Sequence, residues 1–343
     1  VKPPVALTLA AAPHIHSGAS VPRLMAHVVI ALAPAAAFSV WLFGLAALLT
    51  LTAAVAGCTL TERLLAGRSA RTARPPPADG SALVTGLIYG LTLPPSLPLW
   101  MVLVGGVFAM VVGKHLFGGL GSNPFNPALV GRVFLQAAFP AAMTTWLAPL
   151  TPDRFTTVPD TVLAWPFGRG SAAGIDAMTA ATPLGAWKFS GAETPLVDLA
   201  LGMTGGSTGE TGALLLLAGG LYLVLVRAAN WRIPLGLLGA VALASALLHQ
   251  LDAARHPDAA FMLLSGGLML GAWFMATDPV ASPVSAAGAW AYGIVIGLLV
   301  VVIRAFSGQP EGVMYAILLG NALAPHIDRW LQPRVYGTAR RLP

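Results

Sequence analysis

Residues 86–98 read Gly86-Leu-Ile-Tyr-Gly90-Leu-Thr-Leu-Pro94-Pro95-Ser-Leu-Pro98, and the pattern returns as Gly267-Leu-Met-Leu-Gly271 followed by Pro279 and Pro283. Each is an apolar run carrying two glycines and closed by prolines, the two poorest helix formers. In water such a run makes a weak helix. In a bilayer the breaks are tolerated, because neighbouring helices or an internal cavity satisfy the freed backbone groups. Paired Gly/Pro-interrupted segments at corresponding positions of two halves point to a site near a pseudo-symmetry axis.

The rest of the chain fits that setting. Of 343 residues 56% are hydrophobic and 9% charged, with 38 glycines and 28 prolines and a mean hydropathy of +0.76. A soluble domain of this composition would expose large apolar areas. A spanning-helix template predicts five helices at 23–44, 45–66, 80–95, 99–117 and 125–140, and five more at 210–228, 232–250, 259–276, 287–305 and 310–330. The repeated Gly/Pro pattern then falls in the third helix of each half. The fifth helices also open comparably, at Asn123-Pro-Phe-Asn-Pro127 and at Gln309-Pro-Glu-Gly312. Five being odd, such repeats are inverted across the membrane. The expected fold is an all-α polytopic membrane protein with about ten transmembrane helices, arranged as two inverted five-helix repeats with broken helices.

The positive-inside rule sets the orientation. An inside N-terminus puts most of the 19 basic residues on the cytoplasmic side, among them Arg63, Arg68, Arg71, Arg74, Arg227 and Arg232, and leaves Arg154, Arg169, Lys188, Arg255 and Arg304 outside. An eleventh span at the short apolar stretch 194–204 would reverse the second half, so that stretch reads as interfacial or re-entrant. The organisation is a cytoplasmic segment 1–22, a first five-helix repeat 23–140, a periplasmic segment 141–209, a second repeat 210–330 and a cytoplasmic tail 331–343. Residues 1–22 lack a short basic region leading into an apolar core, so no cleaved signal is expected. The basic residues are scattered and form no face with interleaved aromatics, which argues against nucleic acid. Cys58 is the single cysteine, so this chain builds no disulfide or iron–sulfur site alone.

Polar residues in apolar surroundings are the candidate functional groups. Asn126 is placed to cap a helix that starts with Pro127. Asn123 keeps an amide that both donates and accepts, suited to the edge of a flat heterocycle or to ribityl hydroxyls, although both asparagines are equally readable as caps of a broken helix. Asp278, Glu311, Lys114, His115 and Arg132 are rare within spans. Glu311 and Asp278 suit helix N-termini, and Lys114 suits a helix C-terminus. Ser207-Thr-Gly-Glu210 reads as a capping box opening the sixth helix. His14, His16 and His27 lack metal-ligand spacing with a carboxylate or cysteine partner.

The outer segment carries Asp176-Ala-Met-Thr179-Ala-Ala-Thr182-Pro-Leu. Pro183 restricts Thr182 to an extended or turn conformation, small neighbours leave its hydroxyl accessible, and Asp176 is placed to order the turn. Without more, a structural turn is the simpler reading. The stretch resembles the Asp-x-x-Ser/Thr-Gly/Ser-Ala-Thr motif at which bacterial flavin transferases attach FMN to threonine as a phosphoester, with Ala180 standing where Gly or Ser is usual. PHIHSG at 13–18, GSALVTGLIYGLTLPP at 80–95, GGLGSNPFNPALVGRVFLQAAFP at 118–140, ATDPVASP at 276–283 and PEGVMYAILLGNALAPHIDRW at 310–330 extend the match. The chain is similar to the NqrB/RnfD family, and its short N-terminus, short outer loops and C-terminal stretch favour the RnfD branch.

The resemblance implies a fold related to urea and ammonium channels and a place in the bacterial inner membrane, with both termini cytoplasmic and Thr182 periplasmic. It implies FMN bound covalently at Thr182, with Asp176 and Thr179 in the attachment motif, and a noncovalent riboflavin contacted by Asn123 and Asn126. Partners would be the other Rnf subunits, including a second covalent-FMN subunit and iron–sulfur subunits, together with membrane lipid and a flavin transferase for maturation. The complex would couple electron transfer between ferredoxin and NAD to sodium-ion or proton translocation. The alternatives are a channel-like permease with a vestigial flavin turn, an NqrB-type subunit of a sodium-pumping NADH:quinone oxidoreductase, and a purely structural anchor.

Overall fold

A computed structural model of the protein describes residues 20–69, 79–166, 181–210, 212–253 and 255–333. Among them the regular structure is helical. Helix α1 (Val21–Phe43) begins after Ser20 with a proline in its first turn, and α2 (Leu45–Ser69) follows at once. The turn between them requires Gly44, whose φ is 65° and whose missing side chain leaves room for the backbone of Arg154. Helix α3 (Ser81–Leu91) is short, and the chain crosses Pro94, Pro95 and Pro98 before α4 (Leu99–Val111). A 3₁₀ turn (His115–Phe117) and a glycine-rich turn lead to α5 (Pro127–Ala138) and the single-turn α6 (Pro140–Met143).

Two short helices, α7 (Pro183–Ser190) and α8 (Leu196–Leu201), lie between the halves. The second half runs α9 (Ala213–Leu225), α10 (Arg232–Leu251), α11 (Ala259–Leu264), α12 (Leu268–Leu270), continued by a π turn at Gly271–Met275, then α13 (Ala286–Phe306) and α14 (Val313–Trp330). Val21–Phe43, Leu45–Ala66, Leu99–Phe117, Arg232–Leu251 and Ala286–Phe306 are long and apolar enough to cross a membrane, while Ser81–Leu91 and Ala213–Leu225 are apolar but shorter. Large apolar side chains such as Leu60, Leu64, Leu243, Leu247 and Val302 face outward, as a lipid-facing surface requires. This is a multi-pass membrane protein.

The third element of each half is interrupted, as the Gly/Pro pattern leads one to expect. The expected span 80–95 is helical only over Ser81–Leu91, and 259–276 breaks at Ser265-Gly266-Gly267, with Gly266 at φ 65°. The sixth helix starts at Ala213 and not at the Ser207 box, because the preceding residues serve another purpose. Thr208 Oγ1 and N donate to the carbonyls of Gly90 (2.7 Å) and Leu93 (3.0 Å), and Gly209 N donates to Leu91 (2.6 Å). Carbonyls at the end of α3 and in the turn beyond it are thereby engaged across the sequence.

Packing follows the same order in both halves: α2 lies against α3 and α4, and α4 against α5, while α10 lies against α11 and α13, and α13 against α14. Contacts of α1 with α9 and of α5 with α14 join them. Glycines set the close crossings, with Gly86 on the backbone of Val55 and Gly293 on that of Ile233. The starts of α1, α3, α5, α10 and α13 gather at one end of the bundle. The other end is covered by residues 147–166 and α7, through bonds such as Leu45 N to Arg154 O, Leu99 N to Val162 O and Arg154 Nε to Trp41 O.

Candidate functional site

At the end away from α7 a cavity of about 90 Å³ opens between the starts of α1, α3 and α5 and the loop 277–280. Asn123 and Asn126 both line it, beside Lys114, Ser81 and Asp278. Asn126 does what its position before Pro127 predicts, as its side-chain oxygen accepts from Ala128 N at 3.0 Å; its amide nitrogen reaches Met275 O at 3.4 Å. The first half's fifth helix is thus tied to the end of the second half's third. Asn123 Nδ2 closes a local turn on Phe125 O (3.1 Å), and the side chain is buried.

Lys114 is not explained by a helix C-terminus. Helix α4 ends before it, and its ammonium pairs with the Glu62 carboxylate and donates to Ser81 Oγ at 2.6 Å. Ser81 in turn donates to Asp79 (2.6 Å), so a charged chain of four residues edges the cavity. Asp278 does not open a helix either; it accepts from Val280 N (3.0 Å) and holds the loop of which it is part. His27 joins α1 to α9 through a 2.7 Å bond with the Tyr222 hydroxyl.

Deeper in the bundle, Arg132, Glu210, Glu311 and Gly267 surround a space of about 20 Å³, room for roughly one water. Arg132 is buried and its Nε meets Met314 Sδ at 3.2 Å, a weak acceptor. Glu210 caps no helix; its carboxylate accepts from Ser207 N at 3.2 Å inside the turn that clasps α3. Glu311 caps α14, as expected, taking Gly312 N and Val313 N at 3.1 Å each. It also accepts from Gly267 N in the break of the third helix (3.1 Å) and pairs with Arg304 at 3.2 Å. Arg304, counted among the outer charges, lies in the last turn of α13 and is buried there, donating to Met262 O (2.6 Å) and Ser265 O (3.0 Å). Sequence reasoning missed its role and that of Glu62. The available signal was a charged residue near the end of an otherwise apolar run, Arg304 alone in α13 and Glu62 beside Arg63 in α2.

Thr182 stands at the N-cap of α7, with φ −70° and ψ 151°, and its Oγ1 accepts from Gly185 N at 3.1 Å. The proline that restricts it is the first residue of the helix, so the same Thr-Pro step both ends the preceding segment and starts α7. Asp176 and Thr179 lie outside the described residues. Helix α7 is anchored by Lys188, whose ammonium donates to the carbonyls of Arg304 (2.8 Å), Ser307 (2.5 Å) and Gln309 (3.0 Å) just past α13. Burial lowers the pKa of this ammonium below that of an ordinary lysine. The sequence-predicted residues therefore divide. Asn123 and Asn126 meet at one end of the bundle, and Thr182 sits at the other.

Interrupted helices, a polar cavity at one end and a buried charge cluster deeper in the bundle belong to an all-helical, multi-pass membrane protein. A sequence profile of the family described as NQR2, RnfD, RnfE matches residues 8–337. The chain belongs to this family. It is 44% identical over 339 residues to the D component of the ion-translocating oxidoreductase complex of Stutzerimonas stutzeri, covering 94% of each chain. It is 39% identical over 343 residues to the protein of that name from Halorhodospira halophila, covering 97% of this chain and 96% of the relative. The D component of the proton-translocating ferredoxin:NAD(+) oxidoreductase complex of Clostridium ljungdahlii is 37% identical over 343 residues, with 97% of each covered.

Proposed function

We propose that this chain is the membrane subunit of an Rnf-type complex of the bacterial inner membrane, carrying FMN on Thr182 and relaying electrons in support of ion translocation. The observation that carries the reading is the position of Thr182 at the N-cap of an eight-residue helix. A phosphoester on its oxygen sets anionic oxygens at a helix N-terminus, where free N–H groups and the helix dipole favour negative charge. Gly185 N, which already bonds this oxygen, is the nearest donor. The hydroxyl is half-buried and the neighbouring Ala181 is exposed, so a modifying enzyme has access. The flavin supplies the redox chemistry; the protein supplies attachment, placement and the surrounding charge. Tethering on the outer face keeps the cofactor from being lost to the outside volume.

Asn123 and Asn126 are the residues to hold the edge of a noncovalent riboflavin, with Thr277 and Lys114 beside them. The donor set fits and the volume does not, since about 90 Å³ lies below the roughly 300–1,000 Å³ of ligand pockets. The matching order of packing and the two caps at Asn126 and Glu311 support the reading of two inverted five-helix repeats. On that reading the α7 face is periplasmic and the Asn126 face cytoplasmic. Ferredoxin and NAD chemistry belongs to partner subunits.

In-gel flavin fluorescence of the denatured subunit tests the proposal. The band is expected in the wild type and absent in Thr182→Ala. Equal fluorescence in both would sink it, and intact electron transfer after Thr182→Ala would leave the chain an anchor only.

A further inference from the structure

The space of about 20 Å³ deeper in the bundle is lined by Thr92 at the end of α3, Arg132 of α5, Glu210 of the clasp, Gly267 in the break before α12, and Glu311 and Met314 around the start of α14. Elements of both halves therefore close on it. Gly267 brings the two carboxyl groups together: its N–H donates to Glu311 Oε2 at 3.1 Å, and a Cβ built on it would lie 3.9 Å from Glu210 Oε1. Arg132 borders the same space and is 6% exposed, yet it forms no salt bridge among the described residues, where Arg304 takes Glu311. Its Nε–H meets the weak acceptor Met314 Sδ. Its two terminal nitrogens make no hydrogen bond among the described residues and, unlike Arg304 Nε, are not sealed off from the space. A buried guanidinium that shares so small a space with a carboxyl group, without pairing with it, has two requirements. A water must take its free N–H groups, and the carboxyl group must lack the charge that would draw the guanidinium in.

We propose that Glu210 is a proton-binding site of the translocation path, exchanging its proton through one water held between it, Arg132 and Glu311. The proposal rests on the ion-translocating reading above. The structure is the loaded state: Glu210 holds the proton, and the water accepts from Arg132 and donates to Glu311. On release the Glu210 O–H bond breaks, the proton passes to the water as hydronium, and the carboxylate left behind pairs with Arg132. Uptake reverses each step, and no electron moves. Arg132 is the switch, because a guanidinium drawn to Glu210 favours the carboxylate and one drawn away favours the acid. The other charged and titratable groups of the surrounding elements are already engaged, Arg304 of α13 by Met262 O, Ser265 O and Glu311, and Tyr89 of α3 by Val102 O at 3.1 Å. A sodium ion suits the space less well than a proton, since there is room for about one water and a fixed guanidinium repels a cation.

The test reads the infrared C=O band of protonated carboxyl groups in the purified full-length chain, in wild-type, Glu210→Gln and Arg132→Gln forms whose helix content is checked. At neutral pH the wild type is expected to carry a band, shifted in heavy water, that Glu210→Gln lacks. Arg132→Gln should keep that band to a pH at least about one unit higher, because the cation that favours the charged form is gone. This second arm stands even if Glu210→Gln does not fold. A band unchanged in Glu210→Gln, or an unmoved midpoint in Arg132→Gln, overturns the site. The same forms are then assembled with their partner subunits in sealed vesicles without sodium, and proton transfer is followed with a pH-sensitive dye while electrons pass. The wild type should move protons and Glu210→Gln at least about tenfold fewer. Translocation undiminished in Glu210→Gln, or a wild type that moves sodium alone when it is supplied, overturns the site and leaves the ion-translocating reading standing. A wild-type complex that moves neither ion overturns that reading, and the site with it.

Discussion

Removing the Glu311 carboxylate is the most severe single perturbation the structure identifies. In Glu311→Ala the Arg304 guanidinium, whose side chain is 1% exposed, loses its only carboxylate among the described residues, and Gly267 N, Gly312 N and Val313 N lose their acceptor. Breaking a buried pair by deleting one partner costs about 3–5 kcal/mol. Loss of an N-cap costs about 1 kcal/mol. The terms overlap, since both describe the same two oxygens, so the expected loss is about 4 kcal/mol. Glu311→Gln keeps one oxygen for the cap and should cost about half as much. The assay is unfolding of the purified chain in mixed micelles, followed by helix content and by tryptophan fluorescence. A cycle with Arg304→Met separates charge burial from capping. Once Glu311 is gone, Arg304→Met removes the unpaired charge but also the donors to Met262 O and Ser265 O, so it should cost about 2 kcal/mol less than the same substitution in the wild type. If Glu311→Ala unfolds like wild type, or if Arg304→Met costs as much in its presence as in its absence, the guanidinium is not held by this carboxylate and the reasoning is refuted.

Asn126→Ala should lose about 1 kcal/mol of stability with the cap of α5, whereas Asn126→Asp keeps the acceptor for Ala128 N but loses the donor to Met275 O and buries a carboxylate beside that carbonyl, so it too should be less stable than wild type. Riboflavin recovered from the two variants by extraction should fall in both, and wild-type recovery would remove Asn126 from that site. Lys188→Met frees three carbonyls beyond α13; at about 1 kcal/mol for a half-exposed anchor, limited proteolysis around α7 should run roughly fivefold faster, and an unchanged rate would mean that α7 is held by other contacts. Glu62→Leu leaves Lys114 buried without its carboxylate, a change expected to cost about 3 kcal/mol, and unfolding within about 1 kcal/mol of wild type would contradict the pair.

Much of the architecture was legible because it depends on local chemistry. Hydropathy locates the long spans, Pro127 after Asn126 announces a capped helix start, and the Gly/Pro pairs mark the two interrupted third helices. What escaped depends on contacts distant in sequence. Ser207 to Glu210 has the spacing of a capping box, but the carbonyls at the end of α3 and in the turn beyond it recruit Thr208 and Gly209 first, and the helix begins later. Arg304 lies near a helix end and so counts as an outer charge. Only the broken α11, whose Met262 and Ser265 carbonyls need donors, explains why it turns inward. Glu62 is one acidic residue in an apolar helix, and nothing nearby in the sequence reveals Lys114 as its partner. Pro183 after Thr182 reads as a turn in the sequence; only the structure shows that Thr182 is the N-cap of α7, with its Oγ1 accepting from Gly185 N.

The two candidate flavin positions lie at opposite ends of the helix bundle, one at α7 and the other at Asn126. Were flavins held at both, an electron passing between them would move along the membrane normal and do electrical work. A full crossing is worth about 2.3 kcal/mol per elementary charge for each 100 mV of membrane potential. On this arrangement the relay is itself a voltage-sensitive step: the energised membrane accelerates or retards it according to its direction, before any ion has moved.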